Sequence, residues 1–225
     1  MKFGPDFLSS GMLYYCSHPS TFSDVHSQGI AEELEDEGSD LVFPETAPRN
    51  LTASAHLLDS GRDQLYQVTY RLATDQQIKG LFRRKRPVGD LLQPSNFLAR
   101  PCYELWTKGS LAGVAVLGFS GMEFSDEIYL TVTLDAVYLA NSSRGTGLVY
   151  SFLEEVAKAA YPVAMAPLVG PGRELPKKPV NLTITAELHS DGGQNAVRAL
   201  GDSLSWLFSL SGFPSLKIVV EDSNF

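Results

Sequence analysis

The chain has 225 residues, 44% hydrophobic content and a formal net charge of −8 at neutral pH. That length builds one large domain, or one domain with an extension, and supplies enough apolar side chain to fold alone. The acidic balance argues against a nucleic-acid partner, and no apolar run reaches the ~18 residues that a membrane span needs. Cys16 and Cys102 form neither a metal-ligand nor a redox spacing, so no metal is expected and the thiols are read as reduced. No signal-peptide core follows Met1, and the N-x-S/T sequons at Asn50, Asn141 and Asn181 read as chance matches. A cytoplasmic protein is the expectation.

Residues 1–62 read as an irregular extension. They hold Pro44, Pro48 and an acidic cluster (Glu32, Glu33, Glu35, Asp36, Glu37, Asp40), and their periodicity is poor. Tyr14, Tyr15, Phe22 and Phe43 argue that this segment packs on the main domain or on a partner. Residues 63–225 read as a domain with clear periodicity. Leu65 to Ala73 alternates and carries Tyr, Val and Thr, which predicts a strand. Thr74-Asp75 predicts an N-cap, with a helix to about Arg84 and Ile78, Leu81 and Phe82 on one face. The basic run Lys79, Arg83, Arg84, Lys85, Arg86 reads as a solvated helix end, or as a cradle for an anion. A second short helical piece falls within Leu91 to Leu98. Tyr103 to Thr107 and Ala112 to Phe119 predict strands joined at Lys108-Gly109-Ser110. Glu127 to Ala140 predicts a long strand. Leu148 to Ala160 predicts a helix with the stripe Leu148, Val149, Phe152, Leu153, Val156, Ala159, Ala160. Tyr161 to Pro179 reads as a proline- and glycine-rich loop. Val180 to His189 predicts a strand, Asn195 to Phe208 a helix, and Ser215 to Glu221 a closing strand. The class is mixed α/β, a sheet flanked by helices.

The most informative stretch is Ser142-Ser143-Arg144-Gly145-Thr146-Gly147-Leu148-Val149. A strand that feeds a glycine turn opening a helix can hold phosphate. The first helical N–H groups lack intrahelical partners, and the helix dipole places partial positive charge there. Gly145 and Gly147 put no side chain in the way of a diphosphate. No Gly-Lys-Ser/Thr occurs in the chain, which excludes a Walker A loop. A dinucleotide fingerprint fails too, because Gly145-x-Gly147 is followed by Tyr150 and the unit lies late in the chain.

The run resembles the acetyl-coenzyme-A-binding motif of the GNAT (Gcn5-related N-acetyltransferase) superfamily, Arg/Gln-x-x-Gly-x-Gly/Ala. Arg144, Gly147 and Val149 stand at its fixed positions, and Val149 replaces a residue that is usually small. The order of predicted elements over about residues 65–225 is similar to that superfamily's order. The resemblance implies a GNAT-like central sheet, mixed and mostly antiparallel, with a splayed parallel strand pair made by Glu127–Ala140 and Val180–His189. It implies acetyl-coenzyme A as co-substrate. Backbone groups near Val137, Tyr138 and Leu139 would hold the pantetheine arm, with Asn195 nearby. N–H groups of Arg144, Gly145, Thr146, Gly147, Leu148 and Val149 would hold the pyrophosphate. The acceptor would be an amine, on a small molecule or a peptide, and a homodimer is expected by analogy.

The base must reach the cleft, and alternate strand residues share a face. Glu127, Tyr129, Thr131, Thr133, Asp135 and Val137 fall on one face, and Leu130, Val132, Leu134, Ala136 and Tyr138 on the other. Asp135 is the first candidate base, with a structural strand acid as its plain alternative, and Glu127 is the second. Glu187 and His189 share a face on the later strand and could bind the amine or relay its proton. The superfamily's usual tyrosine acid is missing from Ala199–Ser205. Three readings stay open: an active N-acetyltransferase, a catalytically inactive GNAT-fold binding or regulatory module, and another phosphate-binding α/β protein.

Overall fold

The structure is a computed structural model that describes residues 38–44, 52–59, 62–82, 92–98, 100–169, 174–188, 191–213 and 215–224. Contacts divide the chain into Met1–Glu35 and Asp36–Phe225. The first unit lies outside the described residues, as do most of the acidic cluster, the run Arg83–Arg86 and His189.

The second unit is one sheet with helices on both faces. Its strands are β1 (Ser39–Asp40), β2 (Thr52–Asp59), β3 (Arg62–Tyr70), β4 (Tyr103–Thr107), β5 (Ser110–Glu123), β6 (Ile128–Leu139), β7 (Val180–Leu188) and β8 (Leu216–Asn224). The order is β2-β3-β4-β5-β6-β7-β8, and β1 adds to the far end of β5. Neighbours are antiparallel from β2 to β6, while β6–β7 and β7–β8 are parallel. Each parallel pair is joined by a helix, as parallel neighbours require. Strands β1 and β2 lie inside the segment read from sequence as irregular. Their pairing partners, β5 and β3, supply the order that local periodicity does not show.

Local sequence explains most boundaries. Helix α1 (Asp75–Leu81) starts at a reciprocal cap. Thr74 Oγ1 accepts the Gln77 N–H, and Gln77 Oε1 accepts the Thr74 N–H at 2.8 Å. Helix α2 (Ser95–Leu98) is a single turn that buries Phe97. The β4–β5 hairpin turns on Lys108 and Gly109, with φ of 48° and 74°. Positive φ at both central residues matches the right-handed twist of the flanking strands.

Helix α3 (Leu148–Met165) overruns its predicted end. The stretch Tyr161 to Pro179 reads from sequence as a loop, yet Tyr161 to Met165 continue the helix, with Pro162 inside it and exposed to solvent. The helix continues because Val163, Ala164 and Met165 are buried. Each large apolar side chain removed from water contributes about 1.5–3 kcal/mol, enough to offset one lost backbone bond. Helix α4 (Asp191–Ser209) packs beside α3.

Two cores result. Helices α3 and α4 cover one face, where Phe152, Leu153, Val156, Leu200, Leu204 and Phe208 meet Leu130, Val132, Leu182 and Ile184. Helices α1 and α2 cover part of the other face, where Ile78, Phe82 and Phe97 meet Val114, Val116, Ala136 and Tyr138.

Candidate functional site

Strand β6 carries an extra residue. Val116 pairs with Ala136 and Leu117 with Leu134, so Asp135 has no partner on β5. One inserted residue reverses the alternation beyond it. Leu130, Val132 and Leu134 belong to the core under α3 and α4. Past the bulge that side passes to Val137 and Leu139, while Ala136, Tyr138 and Ala140 enter the core under α1 and α2. This corrects the face assignment made from period alone, which grouped Leu130, Val132 and Leu134 with Ala136 and Tyr138.

The bulge also marks where β6 leaves β7. Parallel pairing runs from Ile128↔Val180 to Leu134↔Ala186 and then stops, while β6 continues to Leu139. Beyond Leu139 the chain makes a 3-10 turn (Asn141–Ser143), then Arg144–Gly147, then α3. Gly145 and Gly147 have φ of 72° and 84°, and a Cβ on either would meet nothing within 4 Å. Thr146 Oγ1 donates to the Ser143 carbonyl at 2.9 Å and accepts the Leu148 N–H at 3.4 Å. Among the described residues, the N–H groups of Gly145, Thr146, Gly147 and Val149 have no acceptor. The Val149 side chain packs against the core under α3. Arg144 turns back: its Nε donates to the Leu139 carbonyl at 3.0 Å and its guanidinium lies 4.5 Å from the Tyr138 ring centre. It therefore clamps the turn onto the end of β6, and it occupies the Leu139 oxygen. Asn141 Oδ1 is buried beside this turn without a donor, an acceptor that the N–H of a ligand would satisfy.

Asp135 points to the α1/α2 side, where it forms an ion pair with Arg100. Its side chain is 22% exposed and that of Arg100 47%. Gly118 leaves room for the carboxylate, since a Cβ there would lie 3.3 Å from Asp135 Oδ2. Glu127 stands just before the start of β6, about 26 Å of strand away from Asp135. There it accepts Asn181 Nδ2 at 2.7 Å and the Tyr129 hydroxyl, and that hydrogen bond raises the Tyr129 pKa. The two candidate acids are not brought together. Glu187 pairs through its backbone with Ser223 of β8, while its side chain and all of His189 lie outside the described residues. Asn195 sits exposed in the N-terminal part of α4.

A polar constellation that sequence reasoning missed lies on β4. Glu104 of β4 is 1% exposed. Its Oε1 accepts the N–H groups of Leu72 and Ala73 at 2.9 and 2.7 Å. Its Oε2 accepts the Thr69 hydroxyl at 2.9 Å and Trp106 Nε1 at 3.0 Å. Four donors compensate a charge that would otherwise be costly to bury. The carboxylate thus pins the corner after β3, where Arg71 holds φ of 56°, a conformation costing on the order of 1 kcal/mol outside glycine. Arg71, Asp75, Arg100, Cys102 and Glu104 line a pocket of about 340 Å³ together with Ile78, Phe97 and Leu98. Burial, and secondarily the Glu104 charge, push the Cys102 thiol up to about 12. The only sequence signal was an acid inside the apolar strand Tyr-Glu-Leu-Trp.

The architecture defines a mixed α/β protein with a mostly antiparallel open sheet. Among the described residues no helix is long and apolar enough to cross a membrane, and no group of three or more His, Cys, Asp or Glu side chains could hold a metal ion. A scan against protein-family models finds no match for the chain, and neither does a search of curated proteins or of solved structures.

Proposed function

We propose that the chain is an acyl-coenzyme-A-dependent N-acyltransferase of GNAT type, with acetyl the expected group and an amine the acceptor. One observation carries the reading. β6 stops pairing with β7 at Leu134↔Ala186, and the same strand then leads into a turn with left-handed glycines that opens the 18-residue α3. A gap between parallel strands suits an extended amide-bearing arm, because unpaired strand groups hydrogen-bond amides. N–H groups at the start of a long helix suit a diphosphate. The residues fit the co-substrate: Gly145 and Gly147 leave the approach open, and Asn141 Oδ1 lacks a donor.

In this reading Asp135 takes the proton that the amine loses. The amine nitrogen forms a bond to the thioester carbon, the carbon–sulfur bond breaks, and the thiolate takes a proton from water or a nearby hydroxyl. Arg100 must first let go of Asp135, because its guanidinium occupies the carboxylate oxygen that would accept the amine's proton. That same ion pair favours the second reading, a GNAT-fold module that binds the co-substrate without turning it over. A phosphate-binding α/β protein of another kind accounts for the glycine turn but assigns no role to the strand gap.

Calorimetry with acetyl-coenzyme A tests the proposal, followed by thiol release across a panel of amines. Binding with release supports the enzyme. Binding with no release supports the module. Absence of binding at millimolar ligand removes both.

A further inference from the structure

We infer that β8 is a self-pairing edge, on which a second copy of this chain docks by laying its own β8 antiparallel alongside. The inference does not rest on the acyltransferase reading. Strand β8 ends the sheet, and among the described residues it pairs with β7 alone. An edge strand leaves alternate N–H and C=O groups unpaired, a template for a further strand. One bond shows which groups face out. The Ser215 carbonyl accepts the Val180 N–H at 3.0 Å, so Ser215 faces β7. By alternation Lys217, Val219 and Glu221 also turn their backbone groups to β7, while Leu216, Ile218, Val220 and Asp222 turn theirs outward.

The order of residues along this edge is self-complementary. A two-fold axis at Val219 sets Ile218 opposite Val220 of the second copy and Leu216 opposite Asp222, so outward N–H groups meet outward carbonyls. The same axis sets Lys217 opposite Glu221. Within one chain these two charges stand about 13 Å apart along the strand, too far to meet. Both are exposed, and their neighbours on β7, Asn181 and Thr185, are neutral. Among the described residues neither forms an ion pair. An axis at Val220 would set Val219 against Glu221 and Ile218 against Asp222, apolar against acid. An axis at Ile218 would set Lys217 against Val219. The charges therefore select one register. On the face under α4, Leu216 and Ile218 pack against the core. Val220 sits over Gly201, where a Cβ would lie 2.9 Å from its Cγ2, yet it remains 42% exposed. Ile218 of the second copy would cover it.

The test is sedimentation equilibrium of the full chain from micromolar to millimolar concentration, beside Lys217→Glu and Glu221→Lys. The parent chain should show a monomer–dimer equilibrium. Each variant alone sets like charges opposite one another at both symmetry-related contacts, and should dimerise about tenfold more weakly. An equal mixture of the two variants restores opposite charges at both contacts, and should recover parent-like association as a heterodimer. The double variant Lys217→Glu/Glu221→Lys should recover it as well. Both positions are exposed, so circular dichroism and the thermal midpoint of the monomer should stay as in the parent. A chain that stays monomeric at millimolar concentration would overturn the inference. So would a dimer that both single variants leave unchanged, or one that they weaken without recovery in the mixture.

Discussion

The Ala73 N–H donates to Glu104 Oε1 at 2.7 Å, across 31 residues of chain. This bond ties the entry of α1 to the middle of β4 and sets the corner from which Arg71 projects. Removing the acceptor strands four donors, two of them on the backbone. Glu104→Ala should lose about 3 kcal/mol or more of stability in urea unfolding. Glu104→Gln should fall between, because its NH2 must face a donor. Full stability in Glu104→Gln would show that neither the charge nor the second acceptor oxygen matters.

Burial holds the Cys102 thiol at about 12 in the folded chain, against an ordinary value of 9.0. Near pH 8 only about one such thiol in ten thousand is ionised. In a Cys16→Ser background, native protein should react with a disulfide reagent orders of magnitude more slowly than unfolded protein. The folded state also binds this proton more tightly than the unfolded one. The associated stability is therefore complete below about pH 9 and is lost as pH rises from 9 toward 12. Tyr103, raised by burial and by Tyr70, adds in the same direction. Urea midpoints should fall with pH over that window, and less steeply in Cys102→Ala. A flat profile in the parent protein would contradict the assignment.

Pro162 interrupts the backbone bonding of α3 from an exposed position. Alanine there restores a donor and relieves the ring's clash with the preceding turn. Pro162→Ala should raise stability by roughly 1–3 kcal/mol, read as a higher thermal midpoint. A lower midpoint would mean that the bend itself is needed to seat Val163 and Met165.

Gly147 is left-handed and a Cβ there meets nothing. Gly147→Ala should therefore cost only about 1 kcal/mol of stability. If the turn holds a diphosphate, the same change should weaken acetyl-coenzyme A at least about tenfold, through a shifted N–H cradle. Affinity unchanged in Gly147→Ala would argue that the ligand lies elsewhere.

Elements with a strong local signal were legible in the sequence. Thr74-Asp75 announces the start of α1, Lys108-Gly109 the hairpin, and the 3.6-residue stripe from Leu148 the helix α3. Their cause is local: caps, turn dihedrals and one buried face. The Asp135 bulge was not legible. Nothing in Leu-Asp-Ala-Val marks an inserted residue, since a bulge is a property of two paired strands and only their register reveals it. The consequence is the reversed alternation of Val137 and Tyr138. Strands β1 and β2 escaped notice for a similar reason, because their order comes from β5 and β3. Glu104 was passed over because an acid in a strand gives no sign of whether four donors await it.

The amino-acid order by itself determined the succession of helices and strands from β3 onward and the glycine turn between β6 and α3. These follow from period, propensity and backbone freedom within a dozen residues. Tertiary structure alone decided which side chains meet: Asp135 with Arg100, Arg144 with Tyr138, Glu104 with the corner at Ala73. Those pairings join residues across sheet register and helix packing. Their free energy depends on distance and burial, which no single stretch of sequence contains.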